Sequence, residues 1–145
     1  MKATHGVTLF ELVIALGLLA IVSTGVFMSF RGNERRDLQN ASLILQADLR
    51  YAQRRAITEG RRYGIIFEVQ NNRYHVVLNR PRETIRTVYF QNGVTLHETS
   101  HHSLMFLPRG TASRGFRITL HNGPYSQQLT ATVSGGRIRI FDIEP

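Results

Sequence analysis

The sequence predicts an α+β fold in which one long N-terminal helix packs on an antiparallel β-sheet domain. Apolar residues recur with helical spacing as far as Ala56, and after Gly60 they alternate with polar residues at the period of a strand. The 145 residues leave room for one small domain. Because the chain has no cysteine, disulfides, thiolate metal ligands and a cysteine nucleophile are excluded.

The helix is predicted to begin with a stretch that can cross a membrane. Nineteen consecutive residues, Leu12 to Phe30, carry no charge. As a helix they would be roughly 28 Å long, close to the thickness of the hydrocarbon core of a bilayer. A secretory signal peptide would instead be cut after such a stretch, and Ala20 with Ser23 or Gly25 could imitate its cleavage site. The stretch is long for a signal peptide, so a retained membrane helix is favoured.

Charged residues beside this stretch bear on two questions, the role of Glu11 and the orientation of the helix in the membrane. Glu11 places a carboxylate at its edge, where a charge costs a few kcal/mol and is usually functional or paired. Only Lys2 precedes the stretch, whereas Arg31, Arg35 and Arg36 follow it. Counting positive charges alone would place the C-terminal domain in the cytoplasm, although this rule weakens for long translocated domains.

Residues 6–11, GVTLFE, resemble the type III signal of type IV prepilins and pseudopilins. In that family a basic leader ends in glycine, and a glutamate stands at the fifth mature position. The resemblance implies that a prepilin peptidase cuts between Gly6 and Val7 and methylates the new amine of Val7. It also implies that Glu11 neutralises the N-terminal amine of a neighbouring subunit, since such a pair in low dielectric is costly to break from one side. An ordinary signal anchor with a tolerated glutamate is the alternative.

The same resemblance implies a pilin-like fold and a division of the chain. Residues 1–6 would be a leader peptide, 7–31 a transmembrane and assembly helix, and 32–145 an extracytoplasmic domain. The protein would sit in the inner membrane by a single pass and be incorporated into a pilus or pseudopilus. Its partners would be other pilins or pseudopilins, which it meets through the N-terminal helix, together with prepilin peptidase and the membrane.

The helix is expected to continue beyond the membrane as an amphipathic segment to about residue 59. Its apolar positions recur every three or four residues and predict one stripe facing a core. They are Leu38, Ala41, Leu45, Leu49, Ala52 and Ala56. Gly60 is the predicted C-cap.

Eight strands follow, predicted from period-two alternation and from turn residues at 70–72 and 122–124. They should pair antiparallel, with the helix covering one face. The predicted strands are Tyr63–Val69, Arg73–Asn79, Thr84–Phe90, Val94–His97, Ser103–Leu107, Phe116–His121, Gln127–Val133 and Arg137–Ile143.

Two C-terminal segments resemble the GspH/FimT group of minor pilins and pseudopilins. Residues 106–112, FLPRGTA, match its F-x-P-x-G-x-A stretch, and residues 134–140, SGGRIRI, match its closing strand. The resemblance implies a minor subunit of a type IV pilus or of a type II secretion pseudopilus.

The distal domain is strongly basic, which suits a polyanionic partner. Residues 35–145 hold sixteen arginines against eight acids. In an extended strand Arg137 and Arg139 share one face about 7 Å apart, a spacing that roughly matches successive phosphates. Some FimT-type minor pilins that resemble this chain bind double-stranded DNA through a Gly-Arg-x-Arg segment during natural transformation. Arg109, Arg114 and Arg117 are candidate neighbours from nearby turns. The alternative is a strand edge whose arginines prevent aggregation.

Catalysis, metal binding and cofactor binding find little support in the sequence. The serines lack a nucleophile context, and no glycine-rich loop suits a phosphate, so an enzyme is not predicted. His97, His101 and His102 lack the spacing of a known metal site, and residues 98–100 between them are predicted to form a loop. His75 and His121 are predicted to lie on strand surfaces.

Overall fold

The computed structural model describes residues 9–133 and 137–143, and the side chains of these residues except 22–32. The predicted leader at 1–6 and the predicted cleavage site between Gly6 and Val7 lie outside the described residues. The chain divides into two compact units, Met1–Asn33 and Glu34–Pro145.

One helix, α1, runs over Leu9–Glu59 and has 51 residues. Its length and its end confirm the predicted long helix. Gly60 follows with φ of +63°, the left-handed conformation in which glycine ends helices without steric cost. No helix among the described residues combines the length and apolar character that crossing a membrane requires.

All eight predicted strands are present, with ends that shift by one or two residues. They are β1 Tyr63–Glu68, β2 Arg73–Leu78, β3 Glu83–Tyr89, β4 Thr95–Thr99, β5 Ser103–Phe106, β6 Phe116–Asn122, β7 Tyr125–Ala131 and β8 Ile138–Ile143. The prediction of a loop over residues 98–100 is wrong for Glu98 and Thr99. Both residues belong to β4, because they pair with Thr119 and Ile118 of β6.

The strands form two antiparallel four-stranded sheets, a division that the sequence did not predict. The first sheet has the order β3-β2-β1-β5, and the second has the order β4-β6-β7-β8. The sheets meet in a shared core, where the ring of Phe67 in β1 stacks on that of Phe116 in β6 with centroids 5.0 Å apart.

The C-terminal part of α1 packs on this core through the predicted apolar stripe. Leu38, Leu45 and Leu49 are at most 1% exposed, as are Ala52 and Ala56. Burying each leucine contributes about 2 kcal/mol. Strands of both sheets contribute buried side chains to the same core, so this stripe of α1 packs against both sheets.

A charged residue, Asp48, is buried beside this stripe. It is 3% exposed, and the hydroxyl of Tyr74 in β2 donates to its Oδ2 at 2.8 Å. The guanidinium of Arg86, in the edge strand β3, pairs with its other oxygen. Burial raises the pKa of Tyr74, so the phenol stays protonated and donates. Asp48 therefore ties two strands of the first sheet to the helix.

Replacing Asp48 with alanine should lower the free energy of unfolding by about 2–3 kcal/mol. The substitution leaves the Tyr74 hydroxyl and the Arg86 guanidinium without their acceptor, and the half-exposed Arg86 keeps the loss below that of a fully buried pair. Urea unfolding of the detergent-solubilised chain, followed by near-UV circular dichroism, measures the change.

The matched control is Arg50→Ala, an exposed position on the same helix, which should change stability by no more than about 0.5 kcal/mol. Equal losses in the two variants would contradict an anchoring role for Asp48.

Candidate functional site

The outer face of the second sheet carries the predicted arginines of β6 and β8. Alternation along β6 buries Phe116 and Ile118 and turns Arg117 to solvent. Along β8 it buries Ile138 and exposes Arg139. Arg117 thus lies within β6, as the predicted strand Phe116–His121 implies, and not in a neighbouring turn.

Strand register brings Arg117 and Arg139 into one row. Arg117 pairs with Thr130 of β7, and Thr130 pairs on its other side with Arg139. The two arginines therefore share one face, with Cα atoms about 10 Å apart across two strand spacings. We call Arg117, Thr130 and Arg139 the arginine row.

Two further predicted arginines lie at the same end of this sheet. Arg137 directly precedes β8, and its carbonyl accepts a hydrogen bond from the Thr132 N–H at 3.3 Å. Arg114 lies just before β6. The side chains of Arg114 and Arg137 are both exposed. Since β6 and β8 begin where β7 ends, these arginines extend the positive charge of the arginine row.

Arg109 belongs to a different feature of the fold. It lies in the turn between Leu107 and Thr111, where the Gly110 carbonyl accepts a hydrogen bond from the side chain of Gln53 at 2.7 Å. Gln46 lies nearer the start of β8 and approaches the carbonyl of Ile138. Gln53 follows Gln46 by seven positions, about 10 Å along the helix, so Arg109 is displaced from the arginine row along the helix axis.

These arginines have no ion-pair partner among the residues that the structure describes. Among residues 9–133 and 137–143, the ion pairs join other side chains and include none of Arg109, Arg114, Arg117, Arg137 and Arg139. Clustered guanidinium groups without acidic partners attract phosphate and other polyanions, both by charge and by paired N–H donors.

The other predicted site residue, Glu11, lies in the N-terminal unit. It stands in the first turn of α1, where a negative charge is favoured by the helix dipole. Its neighbours are exposed and apolar; Leu9 is 84% exposed and Phe10 is 74% exposed. A helix with so much exposed apolar surface is typical of a segment that packs against other helices or lipid.

Three of the histidines, His75, His101 and His102, occupy strand and turn positions. His75 in β2 is hydrogen-bonded to Glu68 and to Thr87, and His101 and His102 lie exposed in the turn after β4. Within the part of the chain that the structure describes, no group of three or more histidine, cysteine, aspartate or glutamate side chains is arranged to hold a metal ion.

A family model described as type II transport protein GspH matches residues 44–136, which include most of the second unit. The chain belongs to the GspH family. A second model, the prokaryotic N-terminal methylation motif, matches residues 1–27. No curated protein matches the sequence.

Solved structures share the fold at low sequence identity. The minor pseudopilin EpsH from the type 2 secretion system of Vibrio cholerae is 14% identical, with a TM-score of 0.63 over 73% of this chain and 97% of that one. The type IV minor pilin FimU of Pseudomonas aeruginosa is 21% identical, with a TM-score of 0.62 over 74% of this chain and 90% of that one.

Family membership and the methylation motif together give the general function. The protein is a minor pilin or pseudopilin, a membrane-anchored subunit that assembles with other pilins. The GspH family is structural, and the predicted α+β pilin-like fold is confirmed.

Proposed function

We propose that this GspH-family subunit is made as a precursor with a leader at residues 1–6. Prepilin peptidase cuts between Gly6 and Val7 and methylates the new amine of Val7. The helix over residues 7–31 then holds the protein in the inner membrane, with residues 32–145 outside, until the subunit enters a type IV pilus or type II secretion pseudopilus. The observation that carries the proposal is the methylation motif at residues 1–27, which runs into a 51-residue helix.

In this proposal Glu11 sets the register of the subunit in the filament. Its carboxylate would meet the amine at Val7 of a neighbouring subunit in a helix bundle of low dielectric, where the pair is strong and its one-sided loss is costly. The exposed apolar side chains around Glu11 would supply the surface that packs against neighbouring helices.

Replacing Glu11 with alanine should leave membrane insertion unchanged and reduce incorporation into filaments at least tenfold. The substitution adds no charge to the apolar helix, but it leaves the neighbour's amine without its partner; about 1.4 kcal/mol of that loss already corresponds to a factor of ten. Immunoblots of sheared filaments and of membranes, from a strain that assembles them, give the ratio.

The matched control is Glu11→Asp, which keeps the charge on a shorter side chain and should retain more incorporation than alanine. Equal incorporation of the wild type and Glu11→Ala would remove the proposed role of Glu11.

A second function, capture of extracellular double-stranded DNA, is favoured by the arginine row. Arg117 and Arg139 are exposed and in register, and Arg114 and Arg137 lie at the same end of the sheet. With Cα atoms about 7 Å apart from Arg137 to Arg139 and about 10 Å apart across the sheet, the guanidinium groups of these arginines would contact several phosphates of one duplex. Such contacts would be independent of base sequence and sensitive to salt.

Replacing Arg117 and Arg139 together with alanine should weaken binding of a DNA duplex at least tenfold. Two lost phosphate contacts should also reduce the slope of log affinity against log salt by about 2. Gel-shift titrations of the detergent-solubilised full chain at about 50–150 mM salt measure both quantities.

The control variant Arg50→Ala/Arg54→Ala removes the same charge from exposed positions of α1 and should retain most of the affinity. DNA capture by the arginine row would be refuted if the two double variants weakened binding equally, or if the wild type bound no DNA in this salt range.

A further inference from the structure

Two histidine rings touch on the outer face of the second sheet. His97 in β4 and His121 in β6 have ring centroids 4.4 Å apart and an interplanar angle of 56°. The sequence alone does not predict this contact, because the two residues are far apart in the chain and only the pairing of β4 with β6 brings their rings together.

An irregularity in β4 accounts for the position of His97. Thr95 and Leu96 pair with His121 and Leu120, but the register then shifts, so that Glu98 pairs with Thr119. His97 is therefore the extra residue of a β-bulge. A bulge redirects the side chain of its extra residue, and here that side chain meets the ring of His121.

The ring of His121 is also held from its other side. Ser126 of β7 lies directly opposite it in register, and the Ser126 Oγ is 3.1 Å from the His121 Nδ1. This hydrogen bond occupies one ring nitrogen and leaves Nε2 available. Histidines that bind metals are typically oriented in this way by a hydrogen bond to the second nitrogen.

We propose that His97 and His121 form a two-histidine site for a divalent transition-metal ion such as Zn²⁺. Neutral imidazole nitrogens are suitable ligands for zinc, copper and nickel. At a Zn–N distance of about 2.1 Å, two imidazole ligands have ring centroids about 5 Å apart, which is close to the separation of 4.4 Å between the rings of His97 and His121. Water would fill the remaining positions, which makes this an open site with an exchangeable ion rather than a closed structural site.

The charge around the two rings is compatible with a cation. Glu98, next to His97 in β4, adds a carboxylate on the same face. Arg117 lies four residues along β6, about 13 Å away, which exceeds the screening length of about 8 Å at physiological salt.

Zinc titration of the tag-free full chain in detergent tests the proposal. Isothermal titration calorimetry with ZnCl₂ should show one equivalent bound. His97→Ala and His121→Ala should each weaken binding at least tenfold, whereas the control His101→Ala/His102→Ala, which changes two exposed histidines of the neighbouring turn, should bind as the wild type does.

Histidine NMR spectra of the wild type give a readout that does not depend on the folding of a variant. Added Zn²⁺ should shift the ring resonances of His97 and His121 before those of His101 and His102. The proposal is overturned if the wild type binds no more zinc than His97→Ala/His121→Ala, if the control loses binding equally, or if the rings of His101 and His102 respond first.

Discussion

The contact between the apolar stripe of α1 and both sheets is the constraint on which the domain depends. A single row of leucines and alanines covers a core built from two sheets, so neither sheet can shift without exposing part of that core. Polar contacts along the same helix reach the second sheet and the turn between β5 and β6. The Glu34 carbonyl accepts from Asn122, and the side chains of Gln46 and Gln53 donate to the carbonyls of Ile138 and Gly110. The helix therefore holds β6 and β8, the two strands that carry the arginine row, through Asn122 and Ile138.

The two units of the chain carry different parts of the proposed function. The N-terminal unit presents apolar side chains and Glu11, features that suit assembly with other helices. The second unit presents chemistry on the outer face of one sheet, where β6 alone supplies an arginine of the arginine row and a histidine of the proposed metal site. A minor subunit of a filament can thus keep one mode of assembly while its exposed sheet carries a specialised ligand site.

Local patterns in the sequence were sufficient for the elements but not for their partners. The spacing of leucines predicted the helix and Gly60 predicted its end, because both are properties of neighbouring residues. The division into two sheets depends on β5 pairing with β1 rather than with its neighbour in sequence, β4. That pairing depends on how the whole core packs and not on neighbouring residues. The same holds for the register that joins Arg117 to Arg139 and for the bulge at His97. The burial of Asp48 was also hidden, since its partner Arg86 lies 38 residues away.

The central claim is that this chain is a pilin-like subunit that is processed before assembly. Determining the N-terminus of the mature protein tests that claim most directly. Intact-mass and N-terminal sequence determination after co-expression with a prepilin peptidase should show loss of six residues and a methylated amine on Val7. Gly6→Lys should remain uncut under the same conditions. A mature chain that begins at or after Ser23 would indicate a secretory signal peptide, and a wild-type chain left uncut would equally contradict processing at Gly6.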